Sequence, residues 1–142
     1  SIFNKNRTDL VFHTGDISLP KSLLSFKKLN CPLIAVLGNN DIGEKNQLLE
    51  ASKTFNCKIV EEPFSISLTD RKIMILHHPD LISESMVFSN DFIFHGHTHR
   101  FRHETIKGTL IFNPGECAGF MKGKNKIGIV NLKTKEAKTI SF

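Results

Sequence analysis

The first half of this chain alternates short apolar runs with amphipathic stretches, and that alternation constrains the fold more than any other feature. Asp9 to His13 and Pro32 to Leu37 are apolar runs of strand length, and Lys58 to Val60 is a shorter one. Between them, Leu19 to Leu29 carries Leu19, Leu23, Leu24 and Phe26 among lysines and serines, with Ser18 placed to cap a helix ahead of Pro20. Glu44 to Phe55 repeats the pattern on Leu48, Leu49 and Phe55, and Asn56 stops it. Strand, helix, strand, helix, strand predicts βαβ units and a mainly parallel sheet buried on both faces.

After Pro63 the pattern changes. Phe64 to Leu68 alternates strictly, Thr69-Asp70-Arg71 turns, and Lys72 to Leu76 returns as an apolar strand. That is a hairpin with one solvated edge. A short helix over Leu81 to Phe88 leads to a strand at Phe92-Ile93-Phe94. Phe101 to Ile106, Thr109 to Phe112, Lys126 to Leu132 and Lys138 to Phe142 read as further short strands. The order predicts an α/β fold, a four-layer α-β-β-α sandwich of two mixed sheets with flanking helices, in a single domain over residues 1–142.

Composition excludes several classes. The 142 residues are 39% hydrophobic and 23% charged, an ordinary globular balance. No apolar run approaches the roughly 20 residues that span a bilayer. No secretory pattern opens the chain, which points to the cytoplasm. Cys31, Cys57 and Cys117 are an odd number without a CxxC spacing, so they are expected as buried reduced thiols. The formal charge of +5 favours anions. Its lysines are scattered and form no stripe interleaved with aromatics, which suits a small phosphate-bearing substrate better than nucleic acid. A homo-oligomer stays open.

Four apolar strands end in polar clusters: Gly15-Asp16, Gly38-Asn39-Asn40-Asp41, His77-His78 and Gly96-His97-Thr98-His99. In α/β sheets, ligands collect outside the carboxyl ends of the strands. Phe94 to Arg100 is the densest of these stretches, with three of the seven histidines at His95, His97 and His99. A polar turn with incidental histidines would explain that stretch alone. Four such clusters gather one carboxylate, one amide oxygen and several imidazoles, which suits manganese, iron, zinc, nickel or cobalt rather than calcium. Paired metals about 4 Å apart are a standard device for cleaving phosphate esters. His13 and His95 sit at strand ends and read as hydrogen-bonded core groups or as groups behind a ligand. Glu116 reads as either such a group or a turn residue. His78 and Arg100 are candidate phosphate contacts, with a solvated turn residue as the other reading of Arg100.

The order of these clusters resembles the calcineurin-like metallophosphoesterases. The family's blocks run D-x-H, G-D, G-N with a polar pair, a histidine ending an apolar strand, then G-H-x-H. The chain is most similar to the small YfcE-type phosphodiesterase subgroup, on Asn39-Asn40-Asp41 and on Asn113-Pro114-Gly115 after the histidines. The resemblance covers nearly the whole chain. It implies a phosphodiesterase using hydroxide activated by two divalent metals, manganese foremost, with nickel, zinc, iron or cobalt as alternatives. Asp16 would bridge them, Asn39, His77 and His97 would hold one, and His99 the other. Asn40 stands where larger relatives place a histidine that assists the leaving group, and an amide cannot donate a proton in that way.

Two departures stand out. His78 replaces the family's usual glycine. The D-x-H block, which would supply two ligands to the metal of His99, is absent before Asp16, and Asp9 is no substitute because it opens the strand that Asp16 follows. Loss of a central strand would expose two ladder edges, so an N-terminally incomplete copy is expected. The rival reading is a phosphoesterase-fold scaffold, or protein-interaction module, impaired in catalysis.

Overall fold

A computed structural model of the chain describes residues 1–117 and 123–142. The described residues hold ten strands and four α-helices, and from Val11 onward these follow the expected order. The strands β1 (Val11–His13), β2 (Leu33–Val36) and β3 (Cys57–Val60) form a parallel three-stranded sheet in the order β1-β2-β3. A mixed five-stranded sheet has the order β4-β5-β6-β8-β7, built from β4 (Phe64–Leu68), β5 (Arg71–Leu76), β6 (Phe92–His95), β7 (Arg102–Ile106) and β8 (Thr109–Asn113). The strands β9 (Lys126–Val130) and β10 (Ala137–Ser141) pair antiparallel as a separate hairpin.

Side-chain alternation along the strands explains the layers. In the smaller sheet Val11, Leu33 and Ala35 face one way and pack with Leu23, Leu48 and Ala51 of the helices α2 (Pro20–Leu24) and α3 (Lys45–Ser52). Their neighbours Phe12, Ile34 and Val36 face the other way and meet Ile73, Ile75, Phe92, Leu110 and Phe112 of the larger sheet. The intervening residues of that sheet, Met74, Leu76, Ile93 and Ile111, point outward and pack with Val87 of α4 (Glu84–Ser89). The result is helix, sheet, sheet, helix. Leu23 and Leu48 are wholly buried, and burial of such a side chain is worth about 1.5–3 kcal/mol. Val130, Leu132 and Ala137 add the hairpin to the inter-sheet core. Arg71 secures it by donating to the carbonyls of Leu132 and Lys133 at 2.9 and 3.1 Å.

The helices are shorter than the periodicity predicts. Ser18 does not cap α2; it adopts a φ of 71° and gives its backbone N–H to Asp41. Leu19 is the cap residue, with Pro20 in the first turn. Residues Asn39–Glu44 form a 3-10 segment, and α3 begins only at Lys45. Pro79–Leu81 is likewise 3-10, and α4 starts after Ser83, whose hydroxyl accepts from the Met86 N–H at 3.3 Å. The short α1 (Ile2–Lys5), capped by Ser1, has no counterpart in the sequence reading. The cysteines are free thiols as expected, but none is fully buried: Cys31 and Cys57 are half-buried and Cys117 is exposed. Cys57 ends up on β3, which among the described residues is an edge strand paired only with β2. No helix among the described residues is long and apolar enough to cross a membrane.

Parallel pairing of β2 with β1 and β3, and of β6 with β5 and β8, aligns the carboxyl ends within each sheet. The polar clusters follow those ends.

Candidate metal centre

Four residues from four strand ends converge on one point. The Asn39 Oδ1 lies 2.9 Å from His77 Nε2 and 3.2 Å from His97 Nδ1. The two imidazole nitrogens are 3.1 Å apart, and Asp16 Oδ2 lies 3.4 Å from His77 Nε2. The His77 tautomer follows from its other nitrogen. Nδ1 sits 2.7 Å from the Thr14 carbonyl oxygen, which can only accept, so Nδ1 carries a proton. In the neutral ring Nε2 therefore presents a bare lone pair to an amide oxygen and a carboxylate oxygen, both acceptors. A cation resolves that arrangement, and mixed nitrogen and oxygen ligands of this kind suit a divalent transition metal.

Two glycines make the approach possible. A Cβ on Gly15, whose φ is 100°, would stand 2.4 Å from His77 Nδ1. One on Gly38 would stand 2.4 Å from Asp16 Oδ1 and 2.5 Å from the Asp16 backbone nitrogen. Asp16, His97 and His99 hold left-handed φ angles of 56°, 68° and 56°. Such conformations cost of order 1–3 kcal/mol each and persist where the surroundings impose them.

The supporting groups are mostly ones the sequence reading gave no role. Asp41 is fully buried and accepts from the backbone N–H of Ser18 at 2.6 Å and of Gly38 at 2.7 Å, which ties the Asp16 loop to the Asn39 loop. Asp16 Oδ1 adds a bond from the Asn40 N–H at 3.0 Å. Asn113 is buried, and its side-chain amide donates to the Gly96 carbonyl and the Thr98 hydroxyl at 3.4 and 3.3 Å, bracing the histidine turn from below. Glu62 accepts from the N–H groups of His77 and His78 at 2.5 and 3.0 Å, and its other oxygen lies 2.5 Å from His78 Nδ1. Burial opposes its charge, but these hydrogen bonds prevail and hold the carboxyl below its ordinary range. The signal for Glu62 was available, since Glu61-Glu62 follows β3 just as the other clusters follow their strands.

The structure separates the remaining candidates. His78 joins His77 and His97 in a group whose ligand atoms all lie within 4.8 Å of one another. His99, Arg100 and Asn40 are exposed, and His99 is not part of that group. The Arg100 N–H bonds Thr98 Oγ1 within the same turn. His95 is buried, with Nδ1 2.9 Å from the Gly96 carbonyl. His13 receives the Gly15 N–H at Nδ1. Burial lowers the pKa of both rings. Glu116 serves the backbone: its carbonyl accepts from the Lys126 N–H.

Residues 1–136 match the calcineurin-like phosphoesterase superfamily domain, and the chain belongs to that superfamily. It is 36% identical to the phosphodiesterase MJ0936 of Methanocaldococcus jannaschii over 143 aligned residues, covering 98% of this chain and 86% of that protein. The solved structure of an archaeal phosphodiesterase superposes with a TM-score of 0.88 at 35% identity, over 99% of this chain and 87% of that one. The Escherichia coli phosphoesterase YfcE shares the fold, with a TM-score of 0.65 at 17% identity and coverage of 99% and 87%.

Proposed function

We propose that this chain is a metal-dependent phosphodiesterase that uses two divalent transition-metal ions, manganese foremost, and acts on a small phosphate ester. It is a hydrolase of the phosphodiesterase type. The observation that carries the reading is the convergence of lone pairs from Asp16, Asn39, His77 and His97. When bound, the cations supply a water of lowered pKa and Lewis-acid stabilisation of the phosphoryl oxygens. Asn39, His77 and His97 would hold one of them, His99 would belong to the other, and Asp16 would contribute a carboxylate oxygen to both. Thr14 fixes His77 through its carbonyl, so the ring cannot turn its lone pair away. A scaffold has no physical need for four ligand groups held this closely.

The substrate side is a cavity of about 690 Å³ beside the cluster, within the range of small-ligand sites. Asn39, Ile42, Lys45, Leu49, Glu62 and His78 are among its lining residues. Ile42 is 76% exposed there and offers an apolar wall to the alcohol part of an ester. Lys45 provides positive charge for the phosphate, and the exposed Arg100 and Asn40 are further candidates to meet the substrate. The histidine ligands cannot also act as bases, because a coordinated nitrogen has no lone pair left for a proton. Hydrolysis of bis(p-nitrophenyl) phosphate with added manganese or nickel tests the assignment. The wild type turns the substrate over, and His97→Ala loses that activity; equal rates would overturn the reading.

A further inference from the structure

We infer that His78 is itself a metal ligand, aimed by Glu62, so that three imidazoles join the Asn39 amide oxygen and Asp16 around one cation. The inference rests on the metal-binding reading above and deepens it. Consecutive residues of a strand point to opposite faces, so His77 and His78 would diverge if β5 continued. It does not. The strand ends at Leu76, the chain bends at His77, and His78, itself extended with φ −92° and ψ 111°, is the cap residue of the 3-10 segment that starts at Pro79. Its ring then lies 4.6 Å from that of His77 and 4.8 Å from that of His97, centroid to centroid.

Glu62 decides which nitrogen is free. A carboxylate can only accept, so the 2.5 Å contact with Glu62 Oε1 places the His78 proton on Nδ1 and leaves the Nε2 lone pair available. The same carboxylate pins the backbone N–H groups of both histidines. One side chain thus fixes the tautomer of one ring and the main-chain positions of two. A carboxylate hydrogen-bonded to the far nitrogen of a histidine is the usual support of a ligating imidazole. The His78 side chain is 33% exposed, open enough for an ion to reach. Three imidazoles shift the preference of this position toward nickel, cobalt or zinc and away from manganese, which favours oxygen ligands.

Cobalt(II) binding tests the idea without reference to turnover. Titration by visible absorption and chelator competition is run on the wild type, His78→Ala and Glu62→Gln, with far-UV circular dichroism on each. His78→Ala is expected to weaken cobalt about 10–100-fold and to change the d–d spectrum. Glu62→Gln, which keeps the shape but loses the charge, is expected to weaken it by about 10-fold or more. Manganese affinity should fall less than cobalt affinity in both. Should either variant fail to fold, nitrogen-15 histidine spectra of the wild type with zinc decide instead: the His78 Nε2 resonance must move on metal addition. An unchanged cobalt affinity and spectrum in folded His78→Ala, or an unmoved Nε2 signal, overturns this inference and leaves the proposed function standing. A wild type that binds no divalent metal overturns both.

Discussion

Replacing Gly38 by alanine puts one methyl group where the structure has no room for it. The backbone there is extended, with φ −102° and ψ −179°, so alanine suffers no conformational penalty and the effect is steric alone. The new Cβ would stand 2.4 Å from Asp16 Oδ1, 2.5 Å from the Asp16 nitrogen and 2.8 Å from His77 Cε1. Ordinary contact begins at 3.4 Å, so Asp16 must retreat by 3.4 minus 2.4, or 1.0 Å. Because the second atom is backbone, rotation of the carboxylate cannot relieve the clash. Overpacking of this kind costs about 1–3 kcal/mol of stability. A displacement of about 1 Å at a reacting centre is worth up to roughly 100-fold in rate. Gly38→Ala is therefore expected to lower the urea midpoint, to weaken metal binding and to cut kcat/KM on bis(p-nitrophenyl) phosphate by about 100-fold. Gly43→Ala is the control, since nothing lies within 4 Å of its Cβ. If Gly38→Ala keeps wild-type metal affinity and a rate within about threefold, far short of the loss a 1 Å shift should cause, the steric account of the site is wrong.

Other perturbations probe the same framework. Asp41→Asn removes one of two buried acceptors and leaves an N–H of Ser18 or Gly38 unpaired, a cost of about 1–3 kcal/mol read as a lower urea midpoint; an unchanged midpoint would mean that Asp41 does not hold the two loops together. Chelator treatment should lower Tm by about 5–10 °C relative to protein at a hundredfold excess of metal over Kd, because such binding adds about 2.7 kcal/mol; equal melting curves with and without chelator would rule out a metal bound to the folded state. Burial pushes the Cys57 thiol up to about 11. The folded state therefore favours the neutral thiol, and the stability this gives is present below the ordinary thiol value and lost as the pH rises toward about 11. Iodoacetamide at pH 8 should modify Cys57 more slowly than free cysteine, and mass spectrometry of the alkylated peptide would show otherwise if the thiol is not shielded.

Strand positions and layer order were legible in the residues because period-two and period-3.6 patterns are local. Phe12 beside Val11, and Ile75 beside Met74, already divide one sheet face from the other. Helix ends were less legible. Ser18 has the chemistry of a cap, yet its N–H is claimed by Asp41, 23 residues away, while Ser83 caps α4 unannounced. The motif residues Asp16, Asn39, His77 and His97 were found because each follows an apolar strand. The roles of Asp41, Glu62 and Asn113 were not, because each depends on a partner from another strand end.

By itself, the sequence determined the polar side chains of the cluster and the strands that carry them. Glycine before Asp16, Asn39 and His97, and apolar residues before His77, are local facts that no tertiary contact is needed to read. Only the tertiary structure decided which lone pairs meet. A tautomer is set by what the far side of the ring touches, and for His77 that is the carbonyl of Thr14, 63 residues earlier. For His78 it is Glu62, on a different strand end, and a sequence cannot show which acceptor a ring will face.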